Sequence, residues 1–190
     1  MSKYVIMMVG KTHSGKTTFG YNLEKAIKNS VVLQTDPISL FIQENFSVDI
    51  DPDFEYNGEF KNPALKFKLF SSIFDHILEL KKYTLVLSNS NMYHKARTEM
   101  ISKIRNHGYR VIGIFINYPD EFLLNRIKKS NRDAKYLNLS NSFQEVLLRQ
   151  RNLFIEPRKE EFDVLFEINS ENQIHEIQDK ITEPVLEKLS

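Results

Sequence analysis

Short, continuous apolar runs alternate along the chain with longer segments in which apolar residues recur every three or four positions. Runs of the first kind predict strands buried on both faces, and segments of the second kind predict helices with one apolar side. The predicted strands are residues 4–9, 31–33, 84–87, 109–116 and 162–168. The predicted helices are residues 14–29, 62–82, 94–106, 119–129, 142–154 and 171–189.

This alternation predicts an α/β fold in which helices cover both faces of a parallel sheet, giving three layers. No repeat, low-complexity tract or Gly/Ser-rich linker divides the sequence, so residues 1–190 are predicted to form a single domain. Ligands of such folds bind at the carboxyl ends of the strands. The loop after the first strand is therefore a natural place for chemistry.

That loop carries a phosphate-binding pattern. Residues 10–17 read Gly-Lys-Thr-His-Ser-Gly-Lys-Thr, which satisfies G-x-x-x-x-G-K-[ST] between a predicted strand and a predicted helix. Glycines permit the tight turn that aims backbone N–H groups at phosphate oxygens, and the amino end of the following helix favours the same anion. The predicted nucleotide-binding residues of this segment are Gly10, Lys11, Thr12, His13, Ser14, Gly15, Lys16, Thr17 and Thr18.

The pattern also assigns chemistry to single side chains. Lys16 is expected to reach the β- and γ-phosphates and Thr17 to supply a hydroxyl to Mg²⁺, so ATP and Mg²⁺ are the predicted cofactors. Thr18 is expected to have a lesser role at the helix start. His13 invites a catalytic role, but a variable loop position is the simpler interpretation. The sequence contains no Asn-Lys-x-Asp motif, which argues against a GTPase.

Composition and charge narrow the class of partner. The sequence is 41% hydrophobic, and its 26 Lys and Arg against 25 Asp and Glu give a net charge of +1, so nothing global attracts a polyanion. The absence of cysteine excludes disulfides and fits a reducing compartment. The first apolar run is too short for a signal peptide or a membrane span. A cytoplasmic protein without a membrane partner is therefore expected.

The later segments resemble those of the P-loop kinases around the polynucleotide 5′-kinases and the zeta-toxin-like kinases. In that group an Asp closes the second strand, as Asp36 does at the end of Val-Val-Leu-Gln-Thr-Asp, and an arginine-bearing helix begins a lid. The resemblance implies the P-loop NTPase fold, with a five-stranded parallel sheet and a small helical lid over approximately residues 126–154. It also implies transfer of the γ-phosphoryl group of ATP to a hydroxyl.

The resemblance implies roles for four further residues. Asp36 would orient and deprotonate the acceptor hydroxyl, although an Asp before Pro37 also commonly caps a turn, and both interpretations stay open here. Arg126 and Arg132 would close over the triphosphate and neutralise charge on the transferred group. Arg149 would lie near the nucleotide or acceptor phosphates, with a structural ion pair as the equal alternative.

One position departs from the group. Its third strand ends in Asp, Ala, Thr, Asn, whereas residues 88–91 here read Ser-Asn-Ser-Asn. Asn91 fits the pattern, but Ser88 stands where a carboxylate usually helps to hold the Mg²⁺ shell. A hydroxyl can bond a metal-bound water but carries no charge. A second hypothesis is therefore an ATP-binding regulatory or switch protein with weak ATPase activity and no phosphotransfer.

The acceptor is left open by the sequence. Residues 49–58 are acidic and aromatic, and they do not form a calcium loop because Phe54 stands at the position that requires Gly. If this surface insert lined the acceptor site, its charge would disfavour a long nucleic-acid strand. The predicted acceptor is a hydroxylated small molecule, a nucleotide or a nucleic-acid end.

Overall fold

A computed structural model describes residues 3–46, 65–132 and 142–182 of the chain. The strands are β1 (Lys3–Gly10), β2 (Ser30–Leu33), β3 (Thr84–Leu87), β4 (Tyr109–Ile116) and β5 (Val164–Ile168). They form one sheet in the order β2-β3-β1-β4-β5, and every neighbouring pair is parallel. The predicted α/β fold with a five-stranded parallel sheet is confirmed.

Helices cover both faces of this sheet. They are α1 (Lys16–Ala26), α2 (Asp36–Asn45), α3 (Leu65–Leu80), α4 (His94–Asn106), α5 (Asp120–Lys129), α6 (Phe143–Leu153) and α7 (Gln173–Thr182). Alternate side chains of a strand point to opposite faces, so β1 feeds two cores. Ile6 and Met8 pack with residues of α1 and α7, whereas Val5 and Met7 pack with residues of α3 and α4.

The helix α2 was not predicted. The sequence Asp36-Pro37 reads locally as the end of a strand followed by a turn, but β2 ends at Leu33 and Asp36 is the first residue of a helix. Proline is tolerated there because the N–H groups of a first helical turn have no intrahelical partner. The expectation that Asp36 closes the second strand is therefore wrong, although the residue still lies at the carboxyl edge of the sheet.

Other boundaries moved for local reasons. The helix α4 and the strand β4 have the predicted bounds. The helix α1, in contrast, starts only at Lys16, because Gly15 has a φ of 95°, outside the helical region. The strand β5 begins at Val164 because a short 3-10 helix, Lys159–Glu161, turns the chain just before it. The acidic stretch 49–58, the lid centre 133–141 and the predicted helix ends at 62–64 and 183–189 lie outside the described residues.

The sheet order decides where loops meet. Because β1 lies between β3 and β4, the loop after β1 faces the ends of both neighbours. Gly10 N–H donates to the Ser90 carbonyl at 3.1 Å, which ties this loop to the chain that leaves β3. In the part of the chain that the structure describes, no helix is long and apolar enough to cross a membrane.

Candidate functional site

The phosphate-type loop between β1 and α1 requires both of its glycines. A Cβ atom on Gly10 would lie 2.9 Å from the Ile116 carbonyl oxygen, a distance that side chains essentially never adopt, and 3.0 Å from Ser14 Oγ, which would have to shift. Gly15 is in the left-handed region, with φ of 95°. The loop therefore keeps the close backbone approach and the turn that the sequence pattern predicts.

Lys16 lies folded over this loop. Its ammonium group donates to the Lys11 carbonyl oxygen at 2.6 Å and to Ser14 Oγ at 3.2 Å. Burial lowers the pKa of Lys16 to about 8; the carboxylate of Asp36 opposes this shift, and Arg132 adds to it. A buried ammonium that is held only by neutral oxygens would gain from an anionic partner such as a phosphate.

Two hydroxyls lie where the sequence predicts a metal. Thr17 Oγ1 donates to Gln34 Oε1 at 3.3 Å, and Ser88 Oγ is buried without a hydrogen-bond partner among the described residues. Thr17 and Ser88 both line the same cavity. No group of three or more His, Asp or Glu residues in the described ranges could hold a metal ion by itself. These oxygens suit Mg²⁺, which keeps several waters and uses few protein ligands.

His13 occupies an unusual position. Its φ is 59°, a left-handed conformation in which a residue other than glycine is strained. The ring packs edge-on against Phe143 of α6, with centroids 4.6 Å apart, and its Nδ1 lies 3.0 Å from Thr12 Oγ1. Burial, together with Arg132, Lys16 and Arg126, lowers the pKa of His13 to about 4. The imidazole is therefore neutral at physiological pH.

Three arginines that the sequence predicts for the site lie on or beside two helices near the loop. Arg126 of α5 donates to the His13 carbonyl oxygen at 3.1 Å and forms an ion pair with Glu171. Arg132 is half exposed, and its Nη2 lies 3.4 Å from Asp36 Oδ2. These two arginines, Asp36 and Arg149 of α6 all line the cavity that contains the loop. The structure thus brings these four side chains to one cavity, and their roles there stay predictions.

Two further predicted loop residues, Lys11 and Thr18, lie at the edge of the site. The Lys11 ammonium pairs with Asp120 of α5 at 2.5 Å, so its side chain holds the loop to a neighbouring helix. The exposed Thr18 lines the rim of the cavity. Their backbone contribution to phosphate binding stays a prediction.

Contacts that hold the site from outside the loop were missed in the sequence. Gln150 of α6 accepts the Thr12 N–H at 2.6 Å through Oε1. Arg97 of α4 and Glu161 form a buried ion pair with an Nε to Oε2 distance of 2.7 Å. The partners are 138 and 64 residues apart, and no local spacing connects them. A buried charge needs a partner, but the sequence does not say which one.

The cavity extends well beyond the loop. It has a volume of ≈ 780 Å³, and residues 12–19, Asp36 and residues 88–93 line it. Residues of α3 and α4 line the same cavity. The lining therefore includes much more of the protein than the loop alone.

Solved structures match this architecture. Kti12 of Chaetomium thermophilum, in complex with ADP-AlF3, has a TM-score of 0.61 and 16% identity over 93% of this chain and 96% of that chain. Shikimate kinase of Acinetobacter baumannii has a TM-score of 0.55 and 18% identity, with 99% and 95% covered. The APS kinase of Mycobacterium tuberculosis has a TM-score of 0.56 and 13% identity, with 95% and 98% covered.

The chain has the fold of the P-loop kinases. Its sequence, compared with protein-family models and with curated proteins, gives no match. At sequence identities of 13–18%, these matches show that the chains share an architecture, and a shared fold does not by itself imply a shared activity. Activity and acceptor must therefore be argued from the cavity of this chain.

Proposed function

We propose that the protein is an ATP-dependent phosphotransferase that moves the γ-phosphoryl group of ATP to the hydroxyl group of an acceptor. The observation that carries this proposal is the lining of the cavity. The loop suited to phosphates, the carboxylate of Asp36 and residues of α3 and α4 all line one cavity of ≈ 780 Å³. We take the part lined by α3 and α4 to hold the acceptor beside the nucleotide.

In the proposed reaction the acceptor oxygen attacks the γ-phosphorus while the bond from that phosphorus to the β,γ-bridging oxygen breaks. The carboxylate of Asp36 takes the hydroxyl proton, and ADP leaves. Lys16, Arg126 and Arg132 would neutralise charge on the triphosphate, because phosphoryl transfer depends mainly on positioning and electrostatic stabilisation. Arg132, whose Nη2 lies 3.4 Å from Asp36 Oδ2, would help to orient the carboxylate.

Mg²⁺ would bind through the Thr17 hydroxyl and the phosphates, with Ser88 as a hydrogen-bond partner for one of its waters. The buried Ser88 oxygen, which has no partner among the described residues, supports this assignment. When bound, the ion would neutralise charge on the β- and γ-phosphates.

Proteins of the same fold support the presence of both a nucleotide and an acceptor. The Kti12 structure contains ADP-AlF3, and the APS kinase structure contains AMPPNP together with APS. The shikimate kinase structure contains shikimate. For this chain we propose that one cavity holds both a nucleotide and an acceptor.

The test is the variant Asp36→Asn, assayed for transfer from labelled ATP to a panel of hydroxylated acceptors. The amide cannot take the proton, so transfer should slow by at least ~10²-fold while ATP·Mg²⁺ affinity stays unchanged. The matched control is Asp75→Asn, which changes an acidic residue of α3 that pairs with Lys103 away from the cavity. Equal transfer rates in wild type and Asp36→Asn would remove Asp36 from the mechanism.

Ser88 favours a second candidate, a nucleotide-dependent switch with slow hydrolysis. Its hydroxyl gives the metal shell one charge less than a carboxylate would. The same labelled-ATP assay separates the two functions. ATP hydrolysis without any phosphorylated acceptor across the panel would favour the switch.

A further inference from the structure

Asn89, in the segment that follows β3, is held by only one half of its side-chain amide. Its Oδ1 accepts the Thr35 N–H at 2.9 Å and the Thr35 hydroxyl at 3.2 Å. A backbone N–H can only donate, so the atom that faces it must be the amide oxygen. The orientation of the amide is therefore fixed, and its NH₂ group is turned away from Thr35.

The NH₂ group of Asn89 has no acceptor among the residues that the structure describes. The residue is half-buried, and it lines the same cavity as the phosphate-type loop. The nitrogen of a side-chain amide carries two N–H donors, and both are available to a ligand in that cavity. An anionic oxygen suits them best, because a hydrogen bond with one charged partner is stronger than a bond between two neutral groups.

The position of Asn89 connects the loop with the segment that carries Asp36. The carbonyl of the next residue, Ser90, accepts the Gly10 N–H at 3.1 Å. Thr35, which holds the amide of Asn89, immediately precedes Asp36. Asn89 is therefore bonded on one side to the start of the phosphate-type loop, through its neighbour, and on the other side to the residue before the proposed base.

We infer that the NH₂ group of Asn89 binds the γ-phosphate of ATP and holds it in place for transfer. This inference deepens the proposed function and rests on it for the nucleotide. In the proposed reaction the γ-phosphorus lies between the β-phosphate on the loop and the acceptor oxygen beside Asp36, and Asn89 borders both segments. A donor that is already oriented needs no rearrangement as charge develops on the phosphoryl oxygens. ADP has no γ-phosphate and cannot use this contact.

The experiment compares two nucleotides that differ in this one phosphate. Calorimetry measures the affinity of the protein for AMPPNP·Mg²⁺, a non-hydrolysable analogue of ATP·Mg²⁺, and for ADP·Mg²⁺. The ratio of the two affinities isolates the interactions of the γ-phosphate. A substitution that only disturbs the site as a whole changes both affinities together and leaves their ratio unchanged.

Two variants remove the donors of Asn89 by different means. Asn89→Asp keeps an oxygen for Thr35 but replaces the NH₂ group with a second oxygen, and Asn89→Leu has a similar size and no charge. Both should lower the affinity ratio by at least ~10-fold, the scale of one charge-assisted hydrogen bond. The control, Asn106→Asp, adds the charge of Asn89→Asp at the exposed end of α4, outside the lining of the cavity, and should leave the ratio unchanged.

The outcomes separate this inference from the proposed function. An unchanged ratio in both Asn89 variants would overturn the inference and leave the phosphotransferase standing. A loss confined to Asn89→Asp would overturn it too, because repulsion between the new carboxylate and the phosphates would then be the cause. A lowered ratio in both variants supports the contact even if no acceptor is phosphorylated, in which case the proposed function fails by its own assay. Wild-type protein that binds neither nucleotide would reject both.

Discussion

Two regions that line the cavity hold their positive charges in opposite ways. At the phosphate-type loop the Lys16 ammonium donates to a carbonyl and a hydroxyl oxygen, and Arg132 makes a half-exposed ion pair 3.4 Å from Asp36. Phosphate oxygens could replace such contacts. On α4, by contrast, Arg97 is buried and bonded to Glu161 and three carbonyls. A charged side chain recruits an anion only if its donors can be released, so Lys16 and Arg132 suit an anion and Arg97 does not.

The largest effect is expected from breaking the buried ion pair between Arg97 and Glu161. Glu161→Gln keeps the size of the side chain but leaves the Arg97 guanidinium buried without a counter-charge. The free energy of unfolding, measured with urea at pH 7, should fall by about 3–5 kcal/mol. The control is Asp75→Asn, which breaks an exposed ion pair with Lys103, a residue of α4 like Arg97. This variant should lower the free energy of unfolding by at most about 1 kcal/mol. Similar losses of free energy of unfolding in Glu161→Gln and Asp75→Asn would contradict the distinction between a buried and an exposed ion pair.

The same pair predicts a dependence on pH. Burial opposes ionisation of Glu161, but hydrogen bonds from Arg97 and from the Arg158 N–H hold the pKa of the carboxyl below its ordinary value of 4.5. The stabilisation is therefore fully present above pH 4.5 and is lost as the pH falls through the lowered pKa. The stability difference between wild type and Glu161→Gln should narrow below pH 4.5, and a gap that stays constant there would argue against the pair as its source.

The next effect concerns Lys16, whose hydrogen bonds to the loop could be exchanged for phosphate oxygens. Lys16→Ala should weaken ATP·Mg²⁺ binding, measured by calorimetry, on the order of 10²-fold, because charge-assisted hydrogen bonds contribute about 1.5–3 kcal/mol each. Lys180→Ala is the control, since this lysine of α7 pairs with Glu176 on the surface. An unchanged affinity in Lys16→Ala would defeat the nucleotide assignment altogether.

Smaller effects distinguish two glycines near the phosphate-type loop. Gly15→Ala forces alanine into a φ of 95° and should cost about 1–2 kcal/mol as well as nucleotide affinity. Gly20 lies inside α1, where an added Cβ would be 3.4 Å from Met8 Cε and 3.5 Å from Ser88 Cβ, ordinary contact distances. Gly20→Ala should therefore be tolerated and could add up to about 1 kcal/mol in thermal unfolding experiments. A strongly destabilised Gly20→Ala would show that this space beside Met8 and Ser88 does not accommodate a methyl group.

The smallest effect is expected from the contact that joins α6 to the loop. Gln150→Leu leaves the partly buried Thr12 N–H without its acceptor and should destabilise the protein by about 0.5–1.5 kcal/mol in urea unfolding. Gln150→Glu keeps an acceptor oxygen and should lose less. If Gln150→Glu is less stable than Gln150→Leu, the 2.6 Å hydrogen bond to the Thr12 N–H is not the source of the stability that Gln150 provides.

The sequence predicted best where local chemistry is unambiguous. The helix His94–Asn106 and the strand Tyr109–Ile116 have the predicted bounds because Gly108 separates a helical period from a continuous apolar run. The helix that starts at Asp36 was missed because Asp-Pro begins turns and helices alike. The loop of residues 10–17 was recognised because glycine spacing itself creates its geometry.

The amino-acid sequence by itself determined the strand-helix alternation, the parallel sheet and the phosphate-type loop, since each follows from residues near one another in the chain. Only the tertiary structure decided that Gln150 meets Thr12, that Arg97 meets Glu161, and that residues of α3 and α4 line the same cavity as Asp36. Alternation sets the direction of the strands but not their order across the sheet. That order, β2-β3-β1-β4-β5, selects which distant side chains face one another.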